Sequence, residues 1–230
     1  MTRENGIIVA IDGPSGAGKS TLASLLAKKL GYLQIDTGAM YRAMALLATR
    51  KGVDLDNSGE VERFSREATV ELAPGNGKTR VFADGEEVTS EIRTPEISML
   101  TSRISALPAV REAMTRLQRR MAEKGGVVLD GRDIGTVVFP DAEVKFYLSA
   151  SAEERGRRRY LELKAKGQSV SLEDTIRDVV RRDEQDSARE IAPLRMSDDA
   201  IPVDSTGLSI EEVVAFMESV ISRTAAGKDQ

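Results

Sequence analysis

Lys19, Ser20 and Thr21 close the run Gly13-Pro14-Ser15-Gly16-Ala17-Gly18-Lys19-Ser20-Thr21, whose spacing fits G-x-x-x-x-G-K-[ST]. The residue types explain what such a run does. Glycines at 13, 16 and 18 let successive backbone N–H groups turn inward with no Cβ in the way. With a helix N-terminus behind them, those groups form a pocket for anionic oxygens. Lys19 adds a full positive charge against the outer phosphates of a nucleoside triphosphate, and the Ser20 hydroxyl is placed to ligate Mg²⁺. A glycine-rich turn that merely starts a helix is the plainer alternative. The complete pattern and both of its flanks stand against it.

Four further groups of residues carry chemistry. Asp36-Thr37-Gly38-Ala39-Met40-Tyr41-Arg42 opens a helix with Thr37 as the expected N-cap and Arg42 about one turn on, so hydroxyl and guanidinium can face one ligand. Asp130-Gly131-Arg132-Asp133 follows an apolar strand and puts two carboxylates and an arginine where open α/β sheets bind ligands. There an Asp can hold Mg²⁺ directly or through water, Arg132 can pair with a phosphate, and Asp133 can accept from an amino group. Arg155, Arg158 and Arg159 lie within an arc of about 100° on one helix, with Arg157 turned away. Arg182, Asp186 and Arg189 recur at i, i+4 and i+7, within about 40° of one another. Solvated charge runs and surface ion-pair ladders are the bland readings of both arrays. Beside a phosphate-binding loop, a mobile arginine lid over phosphates gains weight.

Composition narrows the chemistry. The 230 residues contain no Cys and no His, which excludes disulfides, thiolate catalysis, cysteine metal sites and the commonest general base. Net charge is −4, which argues against nucleic acid or an anionic membrane as the main partner. Yet 23 of the 33 basic residues are Arg, the planar fork suited to phosphate. An acidic chain with clustered arginines points to small phosphorylated ligands held in a local pocket. No apolar stretch approaches the ~20 residues needed to span a bilayer, and the first residues lack a signal peptide's apolar segment. A cytoplasmic, soluble monomer is expected.

The elements that must position these residues are legible in order. Ile7 to Ile11 reads as a buried strand, and Lys19 to Leu30 repeats Leu22, Leu25, Leu26 and Leu30 at helical spacing. Strands are predicted at 32–36, 127–130, 143–148 and 200–204, with a helix after each except 127–130, which runs into a loop. Between them, 69–72, 79–83 and 87–89 alternate as short strands joined by Gly75-Asn76-Gly77 and Asp84-Gly85. This predicts one α/β domain with a parallel sheet flanked by helices and a small antiparallel β insertion at about 69–92. Ser102, Arg103 and Arg111 fall on helices split by Pro108, where sequence alone favours the surface. A capping box at Ser171 starts a helix to about Arg189, Ser209 caps a closing helix to about Arg223, and Thr224 to Gln230 reads as frayed.

Ile11-Asp12-Gly13-Pro14-Ser15-Gly16-Ala17-Gly18-Lys19, Asp36 to Arg42, Asp130-Gly131-Arg132-Asp133-Ile134-Gly135-Thr136-Val137-Val138-Phe139-Pro140 and the segment Arg182 to Leu194 together resemble the bacterial cytidylate kinases, over about Ile7 to Phe216. The resemblance implies a P-loop NTPase core, a monophosphate-binding lobe at 37–124 that contains the insertion, and a short lid at 151–170. It also implies the reaction ATP + (d)CMP ⇌ ADP + (d)CDP with Mg²⁺. Residues 13–21 would take ATP. Thr37, Arg42, Ser102, Arg111, Arg132, Asp133, Arg182, Asp186 and Arg189 would take CMP or dCMP, with Ser102, Arg132, Asp133 and Asp186 on the cytosine and ribose side. Lys19, Arg132, Arg182 and the lid arginines Arg155, Arg158 and Arg159 would act in catalysis, and Ser20, with Asp36 and Asp130 through water, on the metal. Arg157 has no assigned part. Some members carry Gly where this chain has Ser20 and Ser where it has Thr37, and both keep a workable group.

Three rivals are weaker. A P-loop kinase for UMP, AMP, shikimate or a coenzyme precursor would lack the base-reading set. A GTPase-type switch needs an Asn-Lys-x-Asp loop, which Asn76-Gly77-Lys78 does not supply. A nucleic-acid module is opposed by the acidic charge and only nine aromatics, 5 Phe and 4 Tyr.

Overall fold

The computed structural model describes residues 3–75, 79–165 and 167–226. Five strands form a parallel sheet: β1 (Ile8–Asp12), β2 (Leu33–Asp36), β6 (Val127–Gly131), β7 (Val144–Ser149) and β8 (Ile201–Asp204), in the order β2-β6-β1-β7-β8. Central β1 is buried along its whole length, as a parallel strand covered on both faces must be. Its side chains alternate between two apolar layers. Ile8 and Ala10 pack on one side with Met40, Met44 and Leu129, and Ile7, Val9 and Ile11 on the other with Leu22, Leu26, Phe146 and Met217.

The first layer is covered by α2 (Thr37–Lys51), α3 (Ser58–Glu67), α4 (Pro95–Ile104) and α5 (Pro108–Met121). The second is covered by α1 (Lys19–Leu30) and α8 (Ile210–Ala226). Two more helices, α6 (Ala152–Ala165) and α7 (Leu172–Ser187), pack on each other beyond the carboxyl ends of the strands. The antiparallel sheet β3 (Val70–Ala73), β4 (Arg80–Ala83) and β5 (Glu86–Glu87) is present as expected. Its second turn holds Asp84 and Gly85 at φ 47° and 84°, the two positive values of a type I′ hairpin. Val70, Val81 and Ala83 are buried in the same cluster as α2, so the insertion shares the main core. The turn expected at Gly75-Asn76-Gly77 lies partly outside the described residues, as does the tail beyond 226.

Register decides where the polar strand ends meet. Asp12 pairs with Gly131 and Asp36 with Asp130, so the P-loop and the two acidic loops leave the sheet side by side. Gly13 then has to pass Leu148. A Cβ built on it would lie 2.0 Å from the Leu148 carbonyl oxygen, and its φ is 145°. Gly13→Ala is therefore expected to cost at least about 2 kcal/mol. Thermal unfolding followed by circular dichroism should show Tm lower by roughly 5 °C or more.

Local chemistry departs from expectation in two places. Asp36, not Thr37, caps α2 by accepting from the Ala39 N–H at 2.8 Å. Thr37 is the first helical residue, and its Oγ1 donates to the Asp130 carbonyl oxygen at 2.6 Å. A carboxylate one residue earlier reaches the free N–H groups of the first turn better than a hydroxyl already inside it. Arg189 lies beyond the end of α7 at Ser187, so the i, i+7 relation to Arg182 is not a helical one. Arg189 nevertheless pairs with Asp186.

Candidate active site

A cleft of about 380 Å³ opens at the carboxyl edge of the sheet. The P-loop residues Ser15, Gly16, Gly18, Lys19, Ser20 and Thr21 form one wall. Thr37, Arg42, Arg111, Arg132, Asp133, Arg182, Asp186 and Arg189 line the rest. Eight of the nine residues expected on the acceptor side thus meet in one space, drawn from α2, α5, the loop after β6, α7 and the segment beyond it.

The cleft is cationic. Lys19 is buried, its Nζ donating to the Pro14 carbonyl oxygen at 2.6 Å. Burial, then the nearby Arg132 charge, holds its ammonium well below the usual lysine range. Arg182 is brought down to about 10 by burial and then by Arg132, and Arg42 is lowered chiefly by burial. The Nε atoms of Arg42 and Arg182 are buried with no hydrogen-bond partner. Buried donors normally find acceptors, and mutually repelling cations with orphaned N–H groups suit an incoming polyanion.

The floor is a charged network. Arg132 Nε donates to Asp186 Oδ2 at 2.9 Å, and Arg189 pairs with the other oxygen. Arg111 pairs with Asp133 and donates to the Ser105 carbonyl oxygen at 3.0 Å, its guanidinium lying 5.7 Å from the Tyr41 ring centroid. Burial raises Asp133, with Arg111 opposing. These pairs hold two carboxylates and three guanidinium forks rigidly at the cleft wall, where they can read the polar edge of a base or a sugar.

At the edge beside Ser20, Ser20 Oγ donates to Asp130 Oδ2 at 2.5 Å, and Gln34 Nε2 contacts Asp130 Oδ1 at 3.4 Å. Burial and then the Asp36 charge push Asp130 up to about 7. A dication beside it would relieve both penalties. Among the described residues no group of three or more acidic side chains is arranged to hold a metal, so phosphate oxygens would have to complete its coordination.

Residues 9–223 match the family model described as "Cytidylate kinase". The chain belongs to the cytidylate kinase family. It is 64% identical to the cytidylate kinase of Geobacter sulfurreducens over 94% of this chain and 93% of that one. It is 58% identical to the cytidylate kinase of Geobacter sp. strain M21, over 100% and 99%. The cytidylate kinase of Carboxydothermus hydrogenoformans matches at 52%, over 94% and 97%.

Within this cytidylate kinase framework the remaining predicted residues separate. Ser102 lies outside the cleft, on an adjoining groove between α4 and the α6–α7 pair. Thr101 and Ser105 line the cleft instead. Of the arginines on α6, only Arg159 lines the cleft, paired with Glu162. Arg155 is buried and donates to the Ala150 and Ser15 carbonyl oxygens at 2.9 Å each, and it pairs with Asp183. Arg158 donates to Ala17 O at 3.3 Å and to Ser205 O at 2.9 Å. The arc of arginines is real, but α6 packs so closely on the P-loop that two of them meet its carbonyl face. A Cβ on Gly16 would lie 3.2 Å from the Arg155 Cβ. Holding those carbonyls outward leaves the following N–H groups facing the cleft. Arg157 is exposed and pairs with Glu154.

Sequence reasoning missed several residues here. Arg93 lines the cleft near Arg42, and no periodic signal marks it. Asp183 accepts from the Ser15 N–H at 3.1 Å. Asp12 sits at a strand's carboxyl end, the same signal that picked out Asp130. Its carboxylate is buried, accepting from Ile134 N at 2.8 Å and Gly135 N at 2.7 Å, and burial pushes it up to about 6. A carboxyl raised from 3.8 to about 6 takes up a proton on folding between those values, so its stabilising effect is full below 3.8 and is lost as pH rises through 6. Asp12→Asn should remove that slope. In denaturant titrations, wild type should lose about 3 kcal/mol relative to the variant between pH 3.5 and 7.

Proposed function

We infer that the chain transfers the γ-phosphoryl group of ATP to CMP or dCMP, giving ADP and (d)CDP. The observation that carries this reading is the cleft itself, in which a complete P-loop faces the Arg132–Asp186–Arg189 and Arg111–Asp133 networks across one space. Family membership agrees with it.

The nucleophile is an oxygen of the acceptor monophosphate, ionised near neutral pH, so the absence of histidine is no obstacle. It attacks the γ-phosphorus, the bond to the β–γ bridging oxygen breaks, and ADP leaves with that oxygen. What the protein supplies is alignment and charge. Gly13 to Thr21 cradle the triphosphate, with Lys19 against its outer oxygens. Arg42, Arg132, Arg182 and Arg189 surround the acceptor phosphate, and Arg93 adds a cation at the same wall. Asp133 and Asp186 accept from the base amino group and the sugar hydroxyls. Mg²⁺, held through Ser20 with Asp130 and Asp36 beside it, would neutralise charge on the β- and γ-phosphate oxygens. Helix α6 serves as the lid expected at 151–170, with Arg159 as its arginine on the phosphates. Arg155 and Arg158 act there by holding the P-loop, and closure would exclude water that otherwise hydrolyses ATP.

ADP release from ATP and Mg²⁺, with CMP, dCMP, UMP and AMP offered separately, tests the reading. Fast turnover is expected on CMP and dCMP and little on AMP. Equal turnover on AMP would remove the base-reading role of Asp133 and Asp186, and turnover on none of the four would discard the acceptor site.

A further inference from the structure

Asp12 is a buried carboxylate with no place in the phosphoryl-transfer chemistry above. Among the described residues neither oxygen has an ion-pair partner; both are spent on the backbone N–H groups of Ile134 and Gly135. Two charges act on it in opposite senses, Asp133 raising its pKa and Lys19 lowering it. Lys145, whose chain runs past Gly135, uses its ammonium on Asp199 and the Pro140 carbonyl oxygen. A group that costs the fold stability when ionised is not explained by stability alone.

Geometry supplies the explanation. Residues 134–138 form a single wide helical turn that begins directly after Asp133. Asp133 enters it at φ −144° and ψ 23°, and its carbonyl oxygen accepts from Val137 and Val138. The first N–H groups of such a turn have no partner within it, and Asp12 caps two of them from the neighbouring strand. Gly135 lacks a Cβ where one would come within 3.4 Å of the Asp12 carboxylate. Asp12 also immediately precedes Gly13, the first residue of the P-loop. One short side chain thus ties the start of the triphosphate cradle to the loop that carries Arg132 and Asp133.

We propose that Asp12 is a positioning residue for the acceptor site, fixing the height of the Arg132–Asp133 loop against the P-loop so that CMP is held in line with the donor phosphate. The proposal rests on the reading of Asp133 as an acceptor-binding residue. The P-loop has its own restraints, from β1 pairing, from Leu148 beneath Gly13 and from Arg155 and Arg158. Loss of Asp12 should therefore spare ATP.

Calorimetric titration of CMP alone and of MgATP alone tests this on wild type and on Asp12→Asn, Gly135→Ala and Asp133→Asn. An amide at 12 offers one acceptor oxygen and turns a donor toward the second N–H. A Cβ at 135 would meet the Lys145 Cδ at 3.1 Å as well as the Asp12 carboxylate at 3.4 Å, so Gly135→Ala crowds the same corner from the other side while keeping the carboxylate, and it serves if the first variant folds poorly. For both, the CMP Kd is expected to rise tenfold or more while the ATP Kd stays within threefold, and kcat/KM for CMP should fall further than kcat/KM for ATP. If Asp133→Asn weakens CMP binding but neither Asp12→Asn nor Gly135→Ala does, the strut is overturned and the acceptor site stands. The strut is equally overturned if Asp12→Asn weakens CMP and ATP alike. If Asp133→Asn leaves CMP binding unchanged, the acceptor-site reading fails, and the inference falls with it.

Discussion

Lys19→Met is expected to lower kcat by at least about 10²-fold without destabilising the protein. The lysine is buried among cations, and its ammonium is disfavoured there by desolvation and by Arg132. The fold therefore holds this charge at a cost, which a triphosphate would offset on binding. During transfer, negative charge on the γ-phosphoryl oxygens has to be met by something fixed in place. Lys19 is fixed by its bond to the Pro14 carbonyl oxygen, within the loop proposed to hold the phosphates. Methionine fills a similar volume with no charge, so packing survives and the electrostatic contribution does not. Steady-state ADP release gives kcat and thermal unfolding gives Tm. A Tm equal to or above wild type with the expected loss of turnover assigns the effect to chemistry. Turnover within threefold of wild type would take the P-loop lysine out of the mechanism.

Arg132→Ala should slow turnover comparably, by at least about 10²-fold, and should also raise KM for CMP. Arg132 stands between the two halves of the site. Its charge bears on both Lys19 and Arg182, and its Nε holds Asp186. On the proposed reading, removal subtracts a cation from the acceptor-phosphate site, and it releases one side of a carboxylate that is 1% exposed, leaving Arg189 as its main partner. A half-paired buried carboxylate is costly, so some stability will go too. Arg132→Lys separates these effects. It keeps the charge and loses the planar fork, and so should recover part of kcat while CMP affinity stays weak. Near-normal kcat and KM in Arg132→Ala would place the loop after β6 outside the active site.

Much of this was readable without coordinates because it depends on local chemistry. The P-loop declares itself by glycines that free N–H groups and by a lysine and hydroxyl at fixed spacing. Asp36 and Asp130 declare themselves as polar endings of apolar strands, and the insertion by alternating strands and an Asp84-Gly85 turn. Spacing singled out Arg42, Asp133, Asp186 and Arg189, and motif resemblance added Arg111; all of them line the cleft. Ser102 does not, although its neighbour Thr101 does. A one-residue step turns a helical side chain by about 100°, and only the docking of α4 fixes which residue faces in.

The arginines of α6 show the same division more sharply. Helical spacing correctly grouped Arg155, Arg158 and Arg159 and set Arg157 apart, since those angles follow from the covalent chain. Which surface the group meets depends on how α6 lies against the P-loop, and there two of the three reach carbonyl oxygens rather than the cleft. Asp12 is the companion case, a residue whose position at a strand end was legible while its partners lie 122 and 123 residues away. The P-loop, the α/β order and the supply of arginines are each a matter of residue type and near spacing, and so are legible from the chain alone. The tertiary structure alone decided which cations face the substrates and which brace the loop that holds them, because that choice is made by parallel register and helix docking between segments distant in the chain.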